Sequence, residues 1–261
     1  MKLATWNVNS IRARHDAVLS WIARVEPDVL CMQETKVEDD DFPTDELLRL
    51  GYAVVMAGQK TYNGVAIASR IPMTDVALGL LDEPEPVDKR LLRATVGGVR
   101  VYCAYVPNGK SPASRSFTEK LAWLGRLRQT LESEATPERP VVVCGDFNIA
   151  PDDRDVFSPE VMRGQLHFHP EEHRALADLV GFGLLDVFRL HHHEGGSFSW
   201  WDYRSGAFDR DQGLRIDLIF ATKPLADRCT STAIDIAPRS GDKPSDHVPV
   251  LATFDVDALG A

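Results

Sequence analysis

The sequence predicts an α/β domain in which two β-sheets pack face to face and helices cover their outer surfaces. Three observations carry this expectation. Short apolar runs such as Val29-Leu30-Cys31-Met32 and Val141-Val142-Val143-Cys144 lack polar alternation, so they read as strands buried on both faces. Two longer segments place apolar residues at helical spacing: Val18, Leu19, Ile22 and Val25 in one, and Leu121, Leu124, Leu127 and Leu131 in the other. The chain of 261 residues shows no internal repeat and no flexible linker, which fits a single domain over residues 1–261.

In chain order, Lys2 to Val8 is the first strand. Ser10 is placed to cap a helix running from Ile11 to Val25. Arg12 and Arg14 fall in its first turn, where the helix dipole disfavours cations, so they read either as a solvated helix start or as phosphate contacts. The 29–32 strand follows, then the acidic run Glu38 to Asp41, a solvated loop. Tyr52 to Met56 and Gly64 to Ser69 are strands joined through the turn residues Tyr62-Asn63-Gly64. Residues 82–88, rich in Pro, Asp and Glu, form a surface connection. Leu91 to Val96 and Val99 to Val106 make a hairpin across Gly97-Gly98, and the second amphipathic helix spans Phe117 to Leu131. After the 141–144 run the chain is irregular from Pro151 to Pro170, helical from Glu171 to Val180, and extended over Leu214 to Thr222, Cys229 to Ile236 and the closing segment after Pro249.

Composition sets limits on function. With 44% hydrophobic and 26% charged residues, the chain can bury a large core and stay soluble. No apolar run is long enough to span a bilayer, and the first residues lack a signal peptide's apolar stretch, so no membrane partner and a cytoplasmic location are expected. Cys31, Cys103, Cys144 and Cys229 sit in or beside apolar runs without a Cys-x-x-Cys pair, and read as reduced core thiols. The net charge of −10 argues against indiscriminate nucleic-acid binding, but an acidic site can hold a divalent metal that inverts the local field.

Polar residues repeatedly leave the ends of apolar runs. Asn7, Glu34, Asp146 with Asn148, Asp217, and Asp246-His247 all do so. Asp146 and Asn148 lie two residues apart and leave the strand on the same side. A lone aspartate in a strand more often caps a turn or pairs with an arginine. The whole set would require a separate partner for each residue, or one shared site. Clustered carboxylates with amides suit a hard divalent cation such as Mg²⁺. The chemistry that most often needs this cation, a base and a positive charge is phosphoester hydrolysis.

Seven segments carry a resemblance. They are Trp6-Asn7-Val8-Asn9-Ser10, Gln33-Glu34-Thr35-Lys36, Tyr105-Val106-Pro107-Asn108-Gly109, Gly145-Asp146-Phe147-Asn148, Ser199-Trp200-Trp201-Asp202-Tyr203-Arg204, Leu214-Arg215-Ile216-Asp217 and Ser245-Asp246-His247-Val248-Pro249. In this order they resemble the exonuclease III family of DNA-repair enzymes, part of the endonuclease/exonuclease/phosphatase superfamily with the DNase I-like fold. The resemblance implies a four-layer αββα sandwich of two mainly antiparallel or mixed sheets flanked by helices. It implies a Mg²⁺-dependent AP endonuclease, with Mn²⁺ able to substitute, that cuts 5′ to abasic sites and has 3′–5′ exonuclease and 3′-phosphatase activity. Its partner would be double-stranded DNA with abasic sites or blocked 3′ ends, and the protein a monomer working at the nucleoid.

Residue by residue, the resemblance implies that Asp146 activates or orients water and that Asn148 holds the geometry. Glu34 would be the main metal ligand, with Asn7 and Asp246 nearby and Asp146, Asn148 and His247 in the wider metal-binding set. His247 would meet the scissile phosphate, oriented by Asp217, and Tyr105 would bond the phosphate or assist the leaving group. Trp200 and Leu214 would line the pocket for a flipped-out abasic sugar. Asn108, Lys110, Arg204, Arg215 and His247 would complete the DNA face. One residue of the Trp200-Trp201 pair is expected in the core. Asp211 stands where the family often has Asn, which would add a negative charge near DNA, and His191-His192-His193 reads as a solvated surface run. Two alternatives stay open: a superfamily relative acting on a small phosphoester, and a DNA-binding relative without catalysis.

Overall fold

The computed structural model describes residues 1–83 and 87–256. The predicted 82–88 connection therefore lies partly outside the described residues. The strands are β1 (Lys2–Asn7), β2 (Val29–Gln33), β3 (Ala53–Ala57), β4 (Val65–Ser69), β5 (Met73–Leu78), β6 (Leu91–Val96), β7 (Val99–Tyr105), β8 (Val141–Asp146), β9 (Leu184–Asp186), β10 (Asp217–Thr222), β11 (Cys229–Ile234) and β12 (Val250–Phe254). They form two six-stranded sheets, ordered β11-β12-β1-β2-β4-β3 and β5-β6-β7-β8-β10-β9. Each sheet has one parallel pair at its centre, β1 with β2 and β7 with β8, and antiparallel neighbours elsewhere. The two sheets thus repeat one pairing pattern, the first closed by the C-terminal strands β11 and β12.

Side-chain alternation builds the layers. Leu3, Cys31 and Ile67 of the first sheet meet Val101, Cys103, Val142, Cys144 and Ile219 of the second in a shared core. On the outer face of the first sheet, Ala4, Trp6, Leu30 and Met32 pack against Val18, Trp21 and Ile22 of the His15–Val25 helix. On the outer face of the second, Tyr102, Val141, Val143 and Phe220 pack against Trp123, Leu124, Leu127 and Leu131 of the Arg115–Glu134 helix and Leu176 and Leu179 of the Pro170–Val180 helix. The result is the expected four-layer αββα sandwich. Each fully buried Val or Leu in it contributes roughly 1.5–3 kcal/mol.

Local differences from the sequence reading have identifiable causes. The first helix begins at His15 because Ser10 adopts φ 87° and its Oγ accepts from the Ala13 amide at 3.3 Å, closing a separate turn. β5 is an edge strand with four of six residues exposed, so it lacks the apolar run that marks a buried strand. β9 has only three residues. β10 starts at Asp217 rather than Leu214, because Leu214 instead bridges to Val156 and Trp200.

Candidate active site

The site forms where the two central parallel pairs end side by side. In the first sheet Asn7 lies level with Gln33, and Glu34 follows at once. In the second sheet Tyr105 lies level with Asp146, and Asp217 faces Asp146 from β10. Gly145 makes this approach possible: at φ 146°, a Cβ there would stand 1.8 Å from the Ala104 carbonyl oxygen. Glu34 and Asn148, the first residues to turn away from the strand ends, both take left-handed backbone conformations, at φ 51° and 52°. Asparagine tolerates this region; glutamate does so at a cost of about 1–3 kcal/mol.

Asn7 braces the centre. Its Nδ2 donates to Glu34 Oε1 at 2.8 Å and to Asp146 Oδ2 at 2.9 Å, while its Oδ1 accepts from the Asn9 amide at 3.0 Å. Asp146 Oδ1 accepts from the Asn148 amide at 2.8 Å, and Oδ2 also accepts from Asn148 Nδ2 at 3.2 Å. Asn148 Oδ1 in turn accepts from Asn108 Nδ2 at 3.1 Å. Asn7 and Asn148 thus turn their amide nitrogens, not their oxygens, toward the carboxylates.

His247 reaches in from the segment before β12. Its Nδ1 donates to Asp217 Oδ2 at 2.9 Å, and its Nε2 stands 3.7 Å from Asp146. Burial opposes a charge on His247, but Asp217 and Asp146 outweigh it and push its pKa up to about 10, so the ring is an imidazolium. Asp146 is held above the usual carboxylate range by burial, with the His247 charge opposing and the Asp217 and Glu34 charges adding to the rise. For Glu34, burial works against ionisation, yet the Lys36 ammonium at 2.7 Å and the Asn7 amide hold the carboxyl below its ordinary value. Tyr105 is raised by burial and by the Glu34 and Asp146 charges, so it remains a phenol and a donor. The Arg90 guanidinium lies over its ring at 4.7 Å.

Glu34, Asp146 and His247 offer ligand atoms all within 4.8 Å of one another, the one such grouping among the described residues. Two carboxylate donors suit a hard divalent cation, while His247, as an imidazolium, has no free lone pair for a metal and stands beside them as a hydrogen-bond donor. Asp246 is placed differently. Its Oδ1 accepts from Asn9 Nδ2 at 2.9 Å and its Oδ2 from Trp200 Nε1 at 3.0 Å, so it ties the site to the neighbouring pocket.

That pocket, about 490 Å³, is lined by Phe157, Met162, His167, Trp200, Arg204 and Leu214 among others. Trp200 faces it, while Trp201 is core, packing on Phe198 and Phe208. Asp211 accepts from Trp201 Nε1 at 3.3 Å and is exposed, so its charge stays at the surface beside the pocket. Two polar residues went unsuspected in the sequence. His167 is buried, its ring centroid is 5.9 Å from that of Trp200, and its Nδ1–H donates to the Asn148 carbonyl at 2.6 Å. Burial, with the nearby Lys120 charge, drives its pKa down to about 3, so the ring is neutral. Lys120 is wholly buried, pairs with Glu172 and donates to the Asn148 carbonyl at 2.7 Å and the Asn108 carbonyl at 3.3 Å. A lysine at helical spacing with Leu124 and Leu127 was the available signal for it.

The remaining candidates divide. Lys110 and Asn108 are exposed beside Tyr105, lining a cleft of about 520 Å³ with Arg90 and Arg126. Arg204 is exposed and paired with Asp202 at 2.7 Å. Arg215 is not on the DNA face, contrary to the expectation from sequence. In extended chain its neighbour Leu214 faces the pocket, so Arg215 points the other way. It is fully buried, bonded to Asp155 at 2.6 Å and Asp186 at 2.6 Å and stacked on Phe188. Arg14 likewise braces loops, donating to the Asn9 carbonyl, the Tyr203 hydroxyl and the Pro244 carbonyl, whereas exposed Arg12 pairs with Asp41. His192 stacks on Phe188 and bonds to the Thr232 carbonyl, so the histidine run is partly packed.

Among the described residues, no helix is long and apolar enough to cross a membrane. A model of the endonuclease/exonuclease/phosphatase family matches residues 4–247. Exodeoxyribonuclease III of Haemophilus influenzae is 36% identical over 97% of this chain and 100% of its own length. An AP endonuclease structure from Archaeoglobus fulgidus is 44% identical, with a TM-score of 0.93, covering 98% of this chain and 99% of that one. A 3′ phosphatase from Neisseria, solved with a product DNA hairpin, is 40% identical, with a TM-score of 0.95 over 98% of this chain and 99% of that one. With the family model spanning nearly the whole chain and relatives alike from end to end, this chain belongs to the endonuclease/exonuclease/phosphatase family, on its exodeoxyribonuclease III side.

Proposed function

We propose that this chain is a metal-dependent DNA-repair phosphodiesterase: an AP endonuclease cutting 5′ to abasic sites, with 3′–5′ exodeoxyribonuclease and 3′-phosphatase activity. It acts as one domain and a monomer, with Mg²⁺ as its cation. The observation that carries the reading is the convergence of Glu34, Asp146 and His247 at the joined strand ends, with Asp217 behind His247. The names of the full-length relatives support the same reaction class.

The side chains divide the chemistry. Glu34 and Asp146 offer the oxygen donors for a divalent cation, which when bound supplies positive charge against the phosphate oxygens. His247, kept charged by Asp217, donates a hydrogen bond to the phosphate as negative charge builds there. Asp146 orients the attacking water and takes its proton, with Asn7 and Asn148 fixing the carboxylate. Tyr105, held as a phenol, donates to the phosphate or the leaving oxygen.

One labelled duplex with an abasic site and another with a 3′-phosphate, assayed side by side, test the proposal. Turnover of both is expected, with loss of both in excess chelator and recovery on adding Mg²⁺. Undiminished turnover in chelator would overturn the metal-dependent mechanism. Action on small sugar phosphates but on neither duplex would instead favour the small-phosphoester alternative.

A second reading has its own observation. The His167 ring forms a wall of the pocket beside Trp200 and narrows the space for a flipped-out sugar. This favours processing of 3′ ends over cutting at internal abasic sites. His167→Ser is expected to raise abasic cleavage relative to 3′-phosphate removal by roughly tenfold or more, since pocket volume of this kind decides specificity on that scale. An unchanged ratio in the same two assays would remove His167 from substrate selection.

A further inference from the structure

Ser199 lies in the Ser-Trp-Trp segment but takes no part in the chemistry set out above. It is completely buried. Its amide donates to the Leu214 carbonyl at 2.9 Å, and its carbonyl accepts from the Val248 amide at 2.8 Å. Its backbone therefore joins the segment that carries Leu214 to the one that carries His247.

The hydroxyl has a more specific arrangement. Ser199 Oγ accepts from the Ile216 amide at 3.1 Å and the Asp217 amide at 3.0 Å. Both acceptor positions are then used, and the single hydroxyl proton goes to Asp217 Oδ2, 2.7 Å away. The same oxygen accepts from His247 Nδ1 at 2.9 Å. The other carboxylate oxygen, Asp217 Oδ1, is buried and has no hydrogen-bond partner among the described residues. Every side-chain bond that sets the carboxylate's rotation therefore falls on one oxygen. Without Ser199, only the bond to His247 would remain, and neither member of the pair would hold the other against rotation.

We infer that Ser199 is a positioning residue for the Asp217–His247 pair, locking the carboxylate in the rotamer that aims the imidazole at the reacting phosphate. The inference rests on the phosphodiesterase reading of the site. Its physical basis is a hydroxyl whose one donor is committed to the carboxylate while both its acceptor positions hold the adjoining backbone. A hydrogen bond to a charged group of this kind is worth about 1.5–3 kcal/mol, or roughly 10- to 100-fold in rate where it serves the transition state.

The test compares Ser199→Ala, Ser199→Thr, Asp217→Asn and the Ser199→Ala/Asp217→Asn double variant on the abasic and 3′-phosphate duplexes. Ser199→Ala is expected to lower kcat by roughly 10- to 100-fold with KM and duplex affinity unchanged. Ser199→Thr, which keeps the hydroxyl, retains most of kcat. In the Asp217→Asn background, adding Ser199→Ala costs little further, because the group it positions is already altered. Should Ser199→Ala fail to fold, Ser199→Cys makes the comparison at near-native volume with a weak donor, and its kcat falls below that of Ser199→Thr. A wild-type kcat in Ser199→Ala, the same fold loss in both backgrounds, or a loss confined to KM would each overturn the inference. Wild-type protein is the control that separates the two claims. If it turns over neither duplex, the phosphodiesterase reading fails; if it turns over and Ser199→Ala matches it, only the role of Ser199 fails.

Discussion

Asp146→Asn is expected to lower kcat on an abasic or 3′-phosphate duplex by roughly 10²- to 10⁴-fold, the scale on which a positioned base acts. The change keeps the side chain's shape, removes its charge and removes its capacity to take a proton. The surroundings also resist it. Asp146 accepts from the Asn148 amide on one oxygen, and from Asn7 Nδ2 and Asn148 Nδ2 on the other. An amide can satisfy only one of these sides, so a donor will face a donor, costing about 1–3 kcal/mol. Against this, a buried negative charge is eliminated, which offsets part of the loss. The variant should therefore fold and bind duplex nearly as the parent does. Duplex affinity by fluorescence anisotropy, with single-turnover cleavage, checks both halves. Raising Mg²⁺ separates the two possible roles of the carboxylate. Recovery of rate at high Mg²⁺ would mean that Asp146 serves chiefly as a ligand; a rate that stays low supports its role toward water. Residual turnover within tenfold of the parent would sink both.

Much of this site was legible because the same physics marks strands and their ends. A strand buried on both faces must be apolar throughout, so the residues where polarity resumes after Met32 and Cys144 announce the sheet's rim. The pairing pattern then carries those rims together, a step no local pattern encodes: Asn7 and Gln33 in one sheet, Tyr105 and Asp146 in the other. Harder to read were residues whose role depends on direction. Arg215 follows Leu214 in a segment that resembles a DNA-contacting motif, yet alternation turns it into the protein. His167 lies in irregular chain, where no periodicity predicts burial. Ser199 is a small polar residue between aromatics, and only the three-dimensional count of its donors and acceptors separates it from a structural serine. β5 carries no strand signal for the opposite reason, being an exposed edge without an apolar run.

Arg215→Met is expected to destabilise the fold by about 3–5 kcal/mol, the typical cost of breaking a buried ion pair by removing one partner. The guanidinium joins two acids from different segments. Asp155 belongs to the turn that runs beside the pocket, and Asp186 caps the Val187–His191 helix by accepting from the Phe188 amide at 3.1 Å. Arg189 also bonds Asp155, so that acid keeps one partner in the variant. Asp186 has no other basic partner among the described ion pairs, and carries the larger share of the penalty. For a domain of this size the loss corresponds to a fall in Tm on the order of 10 °C, readable by thermal denaturation. The salt dependence of duplex binding gives an independent check. A residue that touches a DNA phosphate reduces the slope of log K against log salt by about 1 when it is replaced, with little effect on stability. Arg215→Met should show the reverse: lower stability and an unchanged slope. Lys110→Ala, altering an exposed cation beside Tyr105, supplies the contrast, because there the slope should fall while Tm holds. If Arg215→Met instead leaves Tm intact and flattens the salt dependence, the buried network is wrong and Arg215 returns to the DNA face.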